Sequence, residues 1–176
     1  ARDMQTTTDN PNSNGADMLY LHPPTASISI DAISGTIAHE YQHLLNYYAK
    51  VTRNQSEQEE RWLDEGLACF AEDIVGYGND TFTNVAAYLL NASDTSLTGY
   101  GLIHSNENEA DRFERRGMAY LLIRQWYESH GAAEFPSGPG AATDRGGIAA
   151  IQKLVQSEDT GIDVLTSSGQ EWSSIV

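Results

Sequence analysis

Apolar residues recur at helical spacing along most of this chain. A stripe that includes Leu44 runs through the segment at about 35–50, and Ser34 before it is a suitable helix cap. A second stripe at about 63–75 ends at Gly76, which is typical of a helix C-terminus. This pattern predicts two neighbouring helices joined by a short polar connection.

The second half of the chain continues this helical pattern. A third helix is predicted at about 81–91, and the segment 113–127 is apolar most of the way round, as expected for a central buried helix. The glycine-rich segment 135–147 is predicted to be a loop. An amphipathic helix at about 148–155 follows, and two short helical pieces are expected to finish the chain.

The N-terminal part shows a different pattern. The segments 18–21 and 28–31 predict short strands, and the sequence His22-Pro23-Pro24 predicts a turn between them. The fold class that follows is α+β and mostly helical, with a small N-terminal β element and a helical C-terminal portion. We expect strands and loops over 1–34, a helix pair over 35–76 and a helical subdomain over 77–176.

Length and composition limit the classes of protein to which this chain can belong. A chain of 176 residues with 40% hydrophobic content suits a single domain, 1–176, although the short stretch before the first helix also allows it to be the C-terminal part of a larger enzyme. No apolar run is long enough for a membrane span. The net charge of −15 argues against nucleic acid and anionic membranes as partners. With no leader pattern at its start, we expect a secreted protein whose signal peptide lies outside this sequence. No feature indicates an oligomeric state.

The sequence His39-Glu40-Tyr41-Gln42-His43 lies in the first predicted helix. Because residues four apart return to nearly the same face, His39 and His43 can direct two imidazoles to one point. Glu40 lies about 100° around the helix, where its carboxylate can reach a water on a metal ion without binding the metal. The pattern indicates metal-assisted hydrolysis, and the alternative is a surface helix with incidental histidines.

Glu65 offers a third ligand on the second predicted helix. A catalytic zinc ion takes about three protein ligands and keeps one position for water. Two antiparallel helices would bring Glu65 opposite His39 and His43, whereas a solvated carboxylate in the first helical turn is the alternative. Closed structural zinc sites prefer cysteines, so two histidines and a glutamate predict an open, catalytic site.

The two segments together resemble a known family. HEYQH paired with WLDEGLA is similar to the gluzincin metallopeptidases, and segments 36–43 and 62–67 are most similar to the hyicolysin-type peptidases. Weaker similarity covers 14–21, 117–122 and 147–161. The resemblance therefore extends over most of the chain, but only the two metal motifs are specific.

This resemblance implies a zincin-like catalytic domain with one zinc ion. By its pattern the metal ligands are His39, His43 and Glu65, and Glu40 is the general base. The implied activity is hydrolysis of peptide bonds in a protein or peptide substrate. No match to the glycine-rich motif of the aminopeptidase branch precedes the metal helix, so we expect an endopeptidase. An aminopeptidase-type gluzincin and an inactive zincin-derived binding module are the alternatives.

Two positions depart from the gluzincin pattern. The Asp that orients a zinc histidine in thermolysin-like members is replaced here by Cys69, which we expect to be a buried small hydrophobe. The transition-state Tyr of the aminopeptidase branch is replaced by Glu114. The donor to the oxyanion is therefore open: the candidates are His104, Tyr120 and Tyr100, with a structural role as the alternative for each.

The sequence offers two further candidates for a role at a metal site. Glu72 lies on the same helical face as Glu65 and is a candidate to orient a zinc histidine, with a surface acid as the alternative. Asn10, Asn12 and Asn14 echo a calcium loop, but the position that should carry its last acid is a leucine. A Ca²⁺ site is accordingly only weakly supported.

Overall fold

Helices make up almost all regular structure in the computed structural model, which describes residues 18–26, 28–95, 109–137 and 140–167. The helices are α1 (Ile30–Tyr47), α2 (Arg61–Ile74), α3 (Asn79–Leu90), α4 (Glu109–Ser129), α5 (Gly147–Gln156) and α6 (Gly161–Ser167). A π-helical segment, Tyr48–Arg53, continues α1, and a 3₁₀ turn, Ala92–Asp94, follows α3. The mostly helical α+β class is confirmed at this coarse level.

The predicted N-terminal strands were wrong within the described residues. Residues 18–21 form no strand, and α1 begins at Ile30, inside the second predicted strand. The Ser29 hydroxyl accepts the Ala32 backbone N–H at 3.1 Å and caps the helix there. Ser34, the predicted cap, is inside the helix, where its hydroxyl donates to the Ile30 carbonyl at 2.9 Å.

Of the two described strands, one lies just before the segment 135–147 that was predicted to be a loop, and the other lies inside it. β1 (Ala133–Glu134) pairs with β2 (Thr143–Asp144) in an antiparallel two-stranded sheet, with Ala133 opposite Asp144. The Asp144 side chain then accepts backbone N–H groups from the first turn of α5, including Ile148 at 2.9 Å. This short hairpin connects α4 to α5.

The core lies between α2 and α4. From α2, Leu63 and Leu67 are almost fully buried, and from α4, Ile123 and Trp126 pack into the same cluster, so α4 is the central helix that the pattern predicted. A Cβ on Gly66 would lie 3.0 Å from the Ala119 carbonyl oxygen, which shows how closely these two helices approach. This contact positions α2, and with it Glu65, against the rest of the molecule.

A buried ion pair ties the end of α1 to the C-terminal helix. Lys50, in the π-helical segment, is fully buried, and its ammonium lies 3.0 Å from a Glu59 carboxylate oxygen. The same ammonium donates to the Asp159 carbonyl, and Glu59 accepts the Gly161 backbone N–H at 2.6 Å. Within the described residues no helix is both long and apolar enough to cross a membrane.

Candidate metal centre

Helix α1 presents both histidines of the motif toward α2. The rings of His39 and His43 are 4.8 Å apart between centroids and meet edge to face. His39 Nε2 lies 3.5 Å from Glu65 Oε2. The potential ligand atoms of His39, His43 and Glu65 all lie within 4.8 Å of one another. The structure therefore brings together the three side chains that the motif spacing singled out.

Each histidine has a carboxylate beside its Nδ1 atom. His39 Nδ1 forms a hydrogen bond with Glu72 Oε1 at 2.5 Å, whereas His43 Nδ1 lies 2.9 Å from Asp64 Oδ2 without a hydrogen bond of suitable angle. An imidazole that donates its Nδ1–H to a carboxylate keeps its Nε2 lone pair for a metal ion. The Glu72 carboxylate also fixes the orientation of the His39 ring.

The two carboxylates are themselves held by hydrogen bonds. The Thr81 hydroxyl, from α3, donates to Glu72 Oε2 at 3.0 Å. The Asn46 amide donates to Asp64 Oδ1 at 2.8 Å, and both side chains are buried. Glu72 was predicted from its helical position, whereas Asp64 was not, although its place directly before Glu65 was a usable signal.

The donor set fits a divalent cation. Glu65 Oε2 is buried without a hydrogen bond of suitable angle, although the Arg116 guanidinium lies 2.9 Å away as an ion-pair partner. Two imidazole nitrogens and one carboxylate oxygen are the donor types that catalytic zinc sites use. The buried Glu65 oxygen and the two neighbouring imidazoles therefore form a donor set that suits such an ion.

The pKa values of His39 and Glu65 shift in opposite directions, as expected for neighbouring groups of opposite charge. Burial lowers the pKa of His39, but hydrogen bonds with Cys69, Glu65 and Glu72 outweigh it and raise the pKa to about 12. Burial raises the pKa of Glu65, but His39 and Arg116 outweigh it and lower the pKa to about 2. The same surroundings that favour a proton on His39 favour any cation placed at the imidazoles.

A second buried set could also hold a metal ion, namely His39, Cys69 and Glu72. This set shares His39 with the first and adds no further histidine. Cys69 itself is a free, buried cysteine, as the sequence predicted. All three side chains are buried, whereas His43 in the first set is 20% exposed, so the first set better suits an ion that must also bind water.

A cavity of about 230 Å³ is lined by one of the three candidate ligands, His39, whereas His43 and Glu65 do not line it. Glu40, the predicted base, lines it together with His39, and the two side chains therefore share one chamber. Four charged or polar side chains from other helices and loops complete its polar wall: Glu72, Tyr77, Asp80 and Arg116. The positions of the last three were not anticipated from the sequence, because each lies outside the two metal motifs.

The predicted oxyanion donors are not at this cavity in the described part of the chain. Tyr120 is buried in α4, where its hydroxyl donates to Asp73 Oδ2 at 2.9 Å, and it does not line the cavity. Burial and the Asp73 carboxylate raise the pKa of Tyr120 to about 12. His104 and Tyr100 fall outside the described residues, as do the asparagines of the calcium loop.

Comparison with known proteins gives a partial match. The chain is 29% identical over 121 residues to the neutral metalloprotease ShpI of Staphylococcus hyicus. The chain is a distant, partial relative of a metalloprotease. The match covers 65% of this chain and 27% of ShpI, so it spans about a quarter of that protein. No family model and no solved structure matches the chain. The similarity supports a relationship to metallopeptidases and nothing finer.

Proposed function

We propose that this chain carries the catalytic site of a zinc-dependent metallopeptidase. One observation carries the proposal: ligand atoms of His39, His43 and Glu65 lie within 4.8 Å of one another, beside a cavity lined by Glu40. The Glu72 carboxylate supports it, since its hydrogen bond to His39 Nδ1 leaves the His39 Nε2 atom for a metal ion. The similarity to ShpI, a metalloprotease by name, points to the same chemistry.

The division of roles follows from the positions of the side chains. A zinc ion held by His39, His43 and Glu65 would polarise the peptide carbonyl and lower the pKa of a bound water. Glu40 lies on the same helix and faces the cavity, where its carboxylate can accept a proton from the attacking water. Glu40 then returns that proton to the departing amine, so that no net proton is consumed.

The proposed activity is that of an endopeptidase, with an aminopeptidase as the second candidate. The absence of the aminopeptidase motif from the sequence before α1 favours cleavage within a chain. One observation favours the second candidate: the Asp80 carboxylate lines the cavity and could bind a free substrate amine. Peptides that differ only in N-terminal acetylation distinguish the two, because an endopeptidase cleaves both forms. Secretion stays a prediction from the sequence.

The experiment that tests the proposal is Glu40→Gln, with Asp31→Asn as the matched control. Asp31 is an exposed acid in the first turn of the same helix and does not line the cavity. Casein hydrolysis by Glu40→Gln should fall by a factor of about 10²–10⁴, the usual contribution of a general base. Zinc content should stay near that of the wild type, because Glu40 is not among the proposed ligands.

Three results would contradict this proposal or a part of it. Wild-type hydrolysis that survives a zinc chelator would exclude the metal mechanism. Full turnover by Glu40→Gln would exclude Glu40 as the base. A protein that binds zinc but cleaves neither casein nor peptides would be the inactive binding module instead.

A further inference from the structure

Arg116 on α4 brings a fixed positive charge to the proposed active site. Its guanidinium lines the cavity together with His39 and Glu40, and its side chain is about three-quarters buried. Of the cavity residues in the part of the chain that the structure describes, Arg116 is the one with a permanent positive charge. The other charged groups there include the carboxylates of Glu40 and Asp80, which would repel an anion.

The contact between Arg116 and Glu65 places the guanidinium next to the candidate ligand atoms. One terminal nitrogen lies 2.9 Å from Glu65 Oε2, and the same oxygen lies 3.5 Å from His39 Nε2. A guanidinium carries five N–H donors in a planar fork and can serve several partners at once. Arg116 can therefore contact Glu65 and still direct a donor into the cavity.

Peptide hydrolysis needs such a donor. Water oxygen forms a bond to the carbonyl carbon, the π electron pair moves to the carbonyl oxygen, and the water proton goes to Glu40. When the tetrahedral species collapses, the C=O bond re-forms, the C–N bond breaks and the proton passes to the amine. A preorganised donor to the carbonyl oxygen is worth about 10²–10³ in rate. Tyr120 does not supply it in this structure, because its hydroxyl is bonded to Asp73.

We propose that Arg116 is a catalytic residue that donates a hydrogen bond to the substrate carbonyl oxygen as negative charge develops on it. This inference rests on the proposed peptidase function. The competing explanation is that Arg116 merely positions Glu65. Arg61 provides the control: its Nε lies 3.8 Å from Glu65 Oε1, but its side chain is 45% exposed and does not line the cavity.

The test compares Arg116→Ala with Arg61→Ala on an internally quenched peptide. Arg116→Ala should lower kcat by about 10²–10³ while KM changes only a few-fold, since the bond forms mainly in the transition state. A phosphonate peptide, whose tetrahedral anion mimics that state, should bind Arg116→Ala more weakly by a similar factor. Free guanidinium, below the concentrations that unfold the protein, should restore part of the lost rate. Arg61→Ala should stay within about threefold of the wild type.

Several outcomes would overturn the role of Arg116. A kcat within threefold of the wild type in Arg116→Ala would do so, and so would full recovery by added zinc alone, which indicates that Arg116 only positions Glu65. Arg116→Gln, which keeps length and polarity, replaces the alanine variant if that protein does not fold, and the same expectations apply. Failure of the Arg116 role can be distinguished from failure of the proposed peptidase function. A wild type without chelator-sensitive hydrolysis refutes the peptidase function itself.

Discussion

The contact between Glu72 and His39 leads to a quantitative prediction for Glu72→Gln. The two side chains are buried and lie 2.5 Å apart, and Thr81 holds the other oxygen of Glu72. Glutamine keeps the shape and one acceptor but removes the negative charge that makes the imidazole a stronger ligand. A change of this kind typically weakens metal binding by about 10–100-fold, or about 1.4–2.8 kcal/mol.

Asp73→Asn is the matched control for this variant. Asp73 is the next residue on α2, and its neutralisation changes the net charge equally, but its carboxylate contacts Tyr120 and Arg124 rather than a histidine. A general loss of negative charge would affect both variants alike, whereas loss of the contact with His39 affects only Glu72→Gln.

Competition with a chromophoric chelator measures the zinc affinity of all three proteins. We expect the Kd of Glu72→Gln to rise by about 10–100-fold and that of Asp73→Asn to change by less than about threefold. The reasoning is refuted if Glu72→Gln binds zinc as tightly as the wild type. Equal weakening of the two variants would also refute it, because the effect would then be long-range electrostatics.

Three further predictions concern stability and titration. Leu63→Ala should lower the free energy of unfolding by about 2–5 kcal/mol, because Leu63 is fully buried. Leu90→Ala, at an 84% exposed site, should change it by less than about 0.5 kcal/mol. Urea denaturation measures both values. Lys50→Met should cost about 3–5 kcal/mol by leaving Glu59 buried without its partner, and adding Glu59→Gln should recover part of it; no recovery would contradict the pairing. Tyr120 has a pKa raised to about 12 by burial and a nearby carboxylate, so its neutral form stabilises the fold below pH 10 and this contribution is lost as the pH rises through about 12. A phenolate step near pH 10 that disappears in Tyr120→Phe would contradict this shift.

The helices were predictable because their signals are local. The stripes at 35–50 and 63–75 correspond to α1 and α2, with boundaries that differ by a few residues. The start of α1 was placed too late because Ser34 was interpreted as the cap and 28–31 as a strand, whereas Ser29 caps the helix. Capping depends on which hydroxyl meets a free N–H, and that choice is made when the chain folds.

The strands were less predictable. The apolar segment at 18–21 has the composition of a strand, but a strand needs a partner, and the described residues provide none there. The two-residue strands β1 and β2 are too short to show an alternating pattern. Their pairing depends on the glycine-rich turns around them rather than on their own residues.

In the candidate site, too, some features were predictable from the sequence and others were not. The sequence by itself determined that His39, Glu40 and His43 share one helix and that Glu65 opens the next, because helical periodicity fixes neighbours a few residues apart. Only the tertiary structure decided that Glu65 meets the two imidazoles, since this depends on how α1 and α2 are oriented by packing.

Contacts between residues far apart in the chain could not be predicted from the sequence. Arg116 reaches the cavity because α4 packs closely on α2 and α3: Gly66 lies against the Ala119 backbone and Gly117 against that of Asn84. Similarly, Tyr120 turns its hydroxyl to Asp73 rather than to the cavity. Local pattern specifies which residues a helix carries, whereas close packing between helices decides which of those side chains meet, and no periodicity along the chain encodes that choice.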